Sequence, residues 1–259
     1  MNLIEVVDDG AVRTIAINRP ERRNALSFDT LVQLREAVTE ARVRAELRAV
    51  ILTGRGGAFS SGADVREWAE KKAKGERSGD WVGEALQLMQ DVFEFPKPTI
   101  AMMDGAAAGA GLDLALACDF RFASERARFI CSYTRVGFSP DAGSSWLLPR
   151  LIGIEKAKRF VYTGDSWTAD VALANGLITE KHPVETLESA TMAFAYQLAS
   201  SPTVAIGLAK SLIDSAHRRS FAEALREEQR AGRICGQTED HREGLKAVNE
   251  KRQPVFVGR

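Results

Sequence analysis

Apolar and polar residues alternate on both sides of a tight turn near the start of the chain. Leu3 to Val7 and Val12 to Ile17 flank Asp8-Asp9-Gly10, a spacing that predicts an antiparallel hairpin. Beyond Asn18-Arg19-Pro20 the period becomes helical: Ser27 suits an N-cap, and Leu31, Leu34 and Val38 share one face. Ala49 to Thr53 predicts a buried strand, Gly54 to Gly62 a loop, and Asp64 to Lys74 a helix. Lys71 to Asp80, KKAKGERSGD, is charged and rich in turn formers and reads as a mobile excursion. Trp81 to Phe93 resumes the helical pattern, Pro96 and Pro98 end it, and Thr99 to Met103 follows as a strand. Short strands are expected at Phe120 to Ala123 and Phe129 to Cys131. Helices are expected at Leu112 to Ala117, Ser144 to Leu151, Glu155 to Tyr162 and Thr168 to Asn175, the last closed by Gly176. From Val184 onward strand patterns cease, and four helices are expected over 187–198, 204–215, 221–233 and 238–249. Strands alternating with helices predict an α/β fold of stacked strand–helix units, with an all-helical C-terminal region.

The densest chemical signal is Met102 to Asp119, MMDGAAAGAGLDLALACD. Gly105, Gly109 and Gly111 let the backbone approach another group closely and aim bare N–H groups at the start of a helix, a place suited to negative charge. The block lacks the third glycine of a dinucleotide fingerprint, and Thr53-Gly54-Arg55-Gly56-Gly57 lacks the Lys-Ser/Thr ending of a phosphate-binding loop. A developing oxyanion is the other candidate, and close helix–strand packing is the simpler reading of the same glycines.

Composition narrows the partners. The 259 residues hold 35 Lys+Arg and 35 Asp+Glu, so no net field gathers nucleic acid or an anionic membrane. The start has no secretory leader pattern and no stretch reaches membrane-spanning length, so a cytoplasmic location is expected. Cys118, Cys131 and Cys235 are odd in number and widely spaced, which fits reduced thiols. His182, His217 and His241 have no second ligand at metal-binding spacing, and none adjoins a G-x-S-x-G nucleophile turn. Neither a metal site nor a Ser-His-Asp hydrolase is expected.

Five stretches occur in a telling order: Asn18-Arg19-Pro20-Glu21 with Asn24-Ala25-Leu26; Phe59-Ser60-Ser61-Gly62-Ala63-Asp64-Val65; Asp104-Gly105 with Ala108-Gly109-Ala110-Gly111; GFSPDAGSSWLLPRL from Gly137 to Leu151; and Leu173-Ala174-Asn175-Gly176-Leu177. Through them the chain resembles the crotonase (enoyl-CoA hydratase/isomerase) superfamily over essentially its whole length. The resemblance implies a crotonase-like ββα superhelical core over residues 1–183 and a helical C-terminal region over 184–259 that takes part in trimerisation. It further implies an acyl-CoA substrate, no metal or separate redox cofactor, and a homotrimer or dimer of trimers. The shared chemistry is stabilisation of a thioester enolate by two backbone N–H groups, which map here onto Ala63 and Ala110. Asn24, Ala25, Leu26, Ala63, Asp64, Val65 and Gly109 match substrate- and CoA-binding positions, Arg22 and Arg23 could meet CoA phosphates, and Phe256 could cover the CoA end of a neighbouring site.

The acid/base groups depart from the hydratase pattern. Similar hydratases carry one glutamate three residues after the second oxyanion residue and another about twenty residues later; here Asp113 and Tyr133 hold those places. A tyrosine is not a carboxylate, so the water-activating pair is incomplete. Asp141, in Ser139-Pro140-Asp141-Ala142-Gly143, instead matches the working carboxylate of isomerase-like branches, with the phenylacetyl-CoA-degradation ring isomerase branch the most similar. Without the resemblance, Asp141 reads as a helix N-cap and Asp113 as an ion pair with Arg121 or Arg128. Trp146, Phe59, Phe138 and Tyr133 are candidates for an aromatic acyl pocket. These features predict an enoyl-CoA isomerase, with a hydratase as the alternative and a non-catalytic binding member of the fold as the remote one.

Overall fold

In the computed structural model, which describes residues 2–75 and 79–259, the chain opens with a hairpin of β1 (Ile4–Asp9) and β2 (Val12–Ile17). The register pairs Ile4 with Ile17 and Asp9 with Val12. α1 (Phe28–Val43) starts where the Ser27 hydroxyl accepts the Thr30 amide at 3.1 Å, satisfying one of the open N–H groups of the first turn.

From there the chain winds in ββα turns, each giving one strand to a large sheet and the next to a small one. The first turn holds β3 (Ala49–Gly54), β4 (Ala58–Ser60), α2 (Val65–Ala73) and α3 (Trp81–Phe93). The second holds β5 (Thr99–Met103), β6 (Ala106–Ala108) and α4 (Ala110–Ala117). The third holds β7 (Phe120–Ser124), β8 (Arg128–Ile130), a 3₁₀ turn at Thr134–Val136, α5 (Ser144–Ile152) and α6 (Ile154–Thr163). β9 (Ser166–Thr168) then returns antiparallel to β8, and α7 (Ala169–Ala174) leads to β10 (Glu180–His182), parallel to β7. The chain finishes with α8 (Val184–Ala199), α9 (Thr203–Ser215), α10 (Phe221–Cys235) and α11 (Glu239–Glu250). The large sheet runs β1-β2-β3-β5-β7-β10 and the small one β4-β6-β8-β9. Successive turns stack so tightly that a Cβ at Gly105 would lie 2.0 Å from the Gly57 carbonyl oxygen, and its φ of +95° is one that favours glycine.

β4, β6, β9 and β10 were not expected from the pattern. Each is three residues long, and β4 and β6 lie inside the stretch read as a loop and the glycine block. A small-residue strand of that length shows no alternation, so it forms because the neighbouring ββα turn supplies its partner. The excursion expected over 71–80 begins within α2, and residues 76–78 of it lie outside the described residues.

The main core fills the space between the two sheets and α1, α3, α4 and α5, with Phe59, Phe129, Leu114 and Leu148 fully enclosed. A second apolar layer covers the outer face of the large sheet, where Leu187, Ala195 and Ala199 of α8 meet Val12, Ile51, Ile100 and Phe122. Phe194 stacks on Phe122 with ring centroids 5.2 Å apart. α8 is therefore a layer of the core, and the expected boundary at 183/184 precedes a helix packed on the sheet. α9 to α11 bury much less: Ile213, Phe221, Leu245 and Val248 are each more than half exposed. The tail folds back, with the Val257 and Gly258 amides donating to the Asp240 carboxylate at 2.6 and 2.9 Å and Arg48 donating to the Phe256 carbonyl at 3.0 Å. Among the described residues, no helix is long and apolar enough to cross a membrane.

Candidate active site

The ββα winding brings the first and second crossings to one place. Leu26 and Ala63 form an isolated parallel bridge: the Leu26 amide donates to Gly62 O at 2.8 Å, and Leu26 O accepts the Asp64 amide at 3.1 Å. In a parallel pair the residue between those two bonds directs its own N–H away from the partner, so the Ala63 N–H is turned outward. Behind the bridge, Asn24 is fully buried at φ +56°. Its Oδ1 accepts the Arg19 amide at 2.9 Å and its Nδ2 donates to the Arg55 and Ala58 carbonyls at 2.8 and 2.7 Å. Asp64 is 3% exposed, its carboxylate pairing with Arg19 at 3.0 Å and accepting the Glu67 amide at 3.0 Å. Both side chains are consumed in holding the turn, so any contact that 24–26 and 63–65 make outward comes from backbone and from neighbours such as Val65, which is exposed.

Gly62 faces the glycine block. A Cβ there would lie 2.6 Å from Ala108 O and 3.4 Å from the Ala110 nitrogen, which puts the Gly62-Ala63 turn directly against the start of α4. Gly109, at φ +50°, caps α4 without a side chain and donates its own amide to Ile130 O at 3.1 Å. Ala110 is the first residue of α4, where an N–H has no acceptor within the helix. Among the described residues neither the Ala63 nor the Ala110 N–H meets a carbonyl or side-chain acceptor. Two free donors thus lie on adjoining segments, one of them at the positive end of a helix dipole.

One helical turn along, Asp113 is completely buried. One of its oxygens, Oδ2, accepts the Tyr133 hydroxyl, while Oδ1 and the equally buried Ser144 hydroxyl have no hydrogen-bond partner among the described residues. Burial pushes the Asp113 carboxyl up to about 7; the Tyr133 hydroxyl opposes the shift and the charge of Asp141 adds to it. Burial, then the Asp113 charge, also pushes the Tyr133 phenol above its usual range, so it stays a donor. Asp141 is only half-buried, and burial raises its carboxyl above the ordinary value against the pull of its own backbone amide. The fold gathers Asp113, Tyr133 and Asp141 into one electrostatic cluster beside α4.

Several expectations fall elsewhere. Asp141 is no cap: the N-cap of α5 is Gly143, and among the described residues no side chain caps the helix. Asp113 has no ion pair among the described residues: Arg121 donates to Cys118 O and Leu177 O, and Arg128 to the carbonyls of Arg126 and Ala127. Of the four aromatic candidates Tyr133 is the one hydrogen-bonded to Asp113 among the described residues. Phe59 is core and Phe138 is 56% exposed. Trp146 packs edge-on against Phe93, beneath Arg150 at 3.5 Å, and lines a separate mostly apolar cavity of about 670 Å³ between α4, α5 and α9. Arg22 reaches Glu70 at 3.3 Å and Phe256 packs beside Gly244 of α11. The sequence pattern marks Ser144 only as a helix start; its hydroxyl lies fully buried.

A ββα superhelix with free amides at a glycine-lined crossing and carboxyls beside them defines the crotonase fold. The enoyl-CoA hydratase/isomerase family model matches residues 8–259, and the chain belongs to that family. It is 34% identical over 259 residues to the 1,2-epoxyphenylacetyl-CoA isomerase of Escherichia coli (strain K12), covering 96% of this chain and 95% of that protein. It is 38% identical over 248 residues to a probable enoyl-CoA hydratase of Rhodobacter capsulatus, covering 95% and 94%. The crystal structure of an enoyl-CoA hydratase from Bacillus anthracis superposes with a TM-score of 0.92 at 35% identity, covering 99% of this chain and 100% of that one.

Proposed function

We propose that the protein is an enoyl-CoA isomerase that holds a thioester oxygen between the Ala63 and Ala110 N–H groups and moves a proton with Asp141. The observation that carries this reading is the unequal state of the two carboxyls: Asp113 is sealed and held by Tyr133, whereas Asp141 is half-open beside it. The Asp141 carboxylate takes a proton from Cα, and the electron pair moves onto the thioester oxygen as an enolate. The carboxylic acid then returns the proton at Cγ, and the double bond has moved. Fixed donors aimed at that oxygen act where charge develops, and a raised carboxyl is a better-matched base for a carbon acid. The substrate is an acyl-CoA, and these steps call for no metal or redox cofactor.

Ala110→Pro tests the oxyanion assignment. Proline is tolerated at the first position of a helix, so α4 should persist while its N-terminal donor is lost. Turnover of a 3-enoyl-CoA thioester is expected to fall on the order of 10²–10³-fold. A folded variant with full turnover would rule the assignment out.

Water addition is the second reading, and one observation favours it: Asp113 Oδ1 and the Ser144 hydroxyl are buried polar atoms without a hydrogen-bond partner among the described residues. The exposed apolar residues of α9 to α11 support assembly as a trimer or dimer of trimers. Light scattering should return three or six protomer masses at micromolar concentration, and a stable monomer would contradict this.

A further inference from the structure

The Tyr133–Asp113 pair lies on the face of α4 that begins at the Ala110 amide, and we infer that Tyr133 is the residue that sets the reaction against water addition. This rests on the reading above, in which the acyl thioester lies against Ala63 and Ala110. Asp113 follows Ala110 by three residues on one helix, so the two share a face of α4. An enoyl thioester bound there presents Cβ to the first base it meets. In water addition, a carboxylate takes one proton from water, the oxygen bonds to Cβ, the C=C electron pair moves to the thioester oxygen, and Cα then takes the proton back from the carboxylic acid. Asp113 is placed for that role, and Tyr133 occupies it.

The clamp is fixed from both ends. The Tyr133 hydroxyl donates to Asp113 Oδ2, and the Tyr133 carbonyl accepts the Val136 and Phe138 amides at 3.0 Å each, which pins the 3₁₀ turn that carries the ring. Tyr133 is 7% exposed, and its hydroxyl takes the place at Asp113 Oδ2 that an attacking water would need. A phenol at this position only donates to Asp113, so it cannot itself take a proton from water. Proton transfer then falls to the half-open Asp141, whose chemistry needs no water.

The test is the ratio of hydration to double-bond migration, measured with short 2-enoyl- and 3-enoyl-CoA thioesters on the full-length protein. Tyr133→Ser removes the ring and releases Asp113; the ratio is expected to rise on the order of tenfold or more, by an increase in hydration, and to return to the wild-type value in Tyr133→Ser/Asp113→Asn. A purely structural tyrosine would lower both reactions together and leave the ratio alone. An unchanged ratio in folded Tyr133→Ser, or a rise that survives Asp113→Asn, would overturn the inference. If Tyr133→Ser does not fold, Tyr133→Phe carries the test: a rise abolished by Asp113→Asn supports the clamp, and no rise overturns it. Should the wild type move no double bond at all, the isomerase reading fails; the hydration rate alone, rising or not on substitution of Tyr133, still decides the role of the clamp.

Discussion

Asp141→Asn is expected to cut double-bond migration by on the order of 10²–10⁴-fold while leaving thermal unfolding nearly unchanged. Asparagine keeps the shape and loses the base. The side chain is half-buried and caps no helix, since the N-cap of α5 is Gly143, and asparagine keeps an oxygen for the Asp141 backbone amide, so the substitution removes no cap. The pH profile supplies a second reading of the same group. A base must be ionised to act, and burial raises Asp141 above its ordinary value of 3.8. As pH falls, kcat/KM should therefore decline through a midpoint higher than that of a solvated aspartate. The residual activity of Asp141→Asn should lack this limb. Full migration activity in Asp141→Asn, together with loss of all hydration in Asp113→Asn, would reverse the roles of the two carboxyls.

The elements that the sequence revealed are those whose partners are local or whose burial is uniform. The hairpin around Asp8-Asp9-Gly10, the Ser27 cap of α1 and the buried runs of β3 and β5 each carry their signal within one segment. β4, β6, β9 and β10 carry none, because three residues paired across a stack of ββα turns owe their conformation to strands far away in the chain. The same distinction runs through the site. The glycine block announced free amides, since glycine spacing is a local property, but the pairing of Asp113 with Tyr133 joins α4 to the turn after β8. Periodicity could not choose among Tyr133, Arg121 and Arg128 as that partner. Nor could it distinguish α8, packed on the large sheet, from the more exposed α9, because those two helices have similar apolar content.

Asp113→Asn should make the protein more stable than wild type at pH 8 and no more stable at pH 4. A carboxyl raised from 3.8 to about 7 by burial favours its protonated form in the folded state. Between those values the folded protein binds a proton that the unfolded chain has released, so stability falls as pH rises through this window and levels off above it. A shift of that size corresponds to a loss on the order of 4 kcal/mol. Asparagine has no proton to lose. Its oxygen can accept the Tyr133 hydroxyl and its amide can face the unpartnered Ser144 hydroxyl, so the pocket stays satisfied at every pH. Other carboxyls with lowered values, such as Asp8 beside Arg13, act in the opposite direction but are common to both proteins and cancel in the difference. Urea unfolding of the two proteins across pH 4 to 8 should give curves that coincide at the acid end and separate toward neutrality; parallel curves would mean that Asp113 ionises in the folded state as easily as in water. If they separate, the same titration bears on chemistry. Below the midpoint Asp113 is a neutral acid and cannot take a proton from water, which leaves the half-open Asp141 as the carboxyl able to act as a base beside the two free amides.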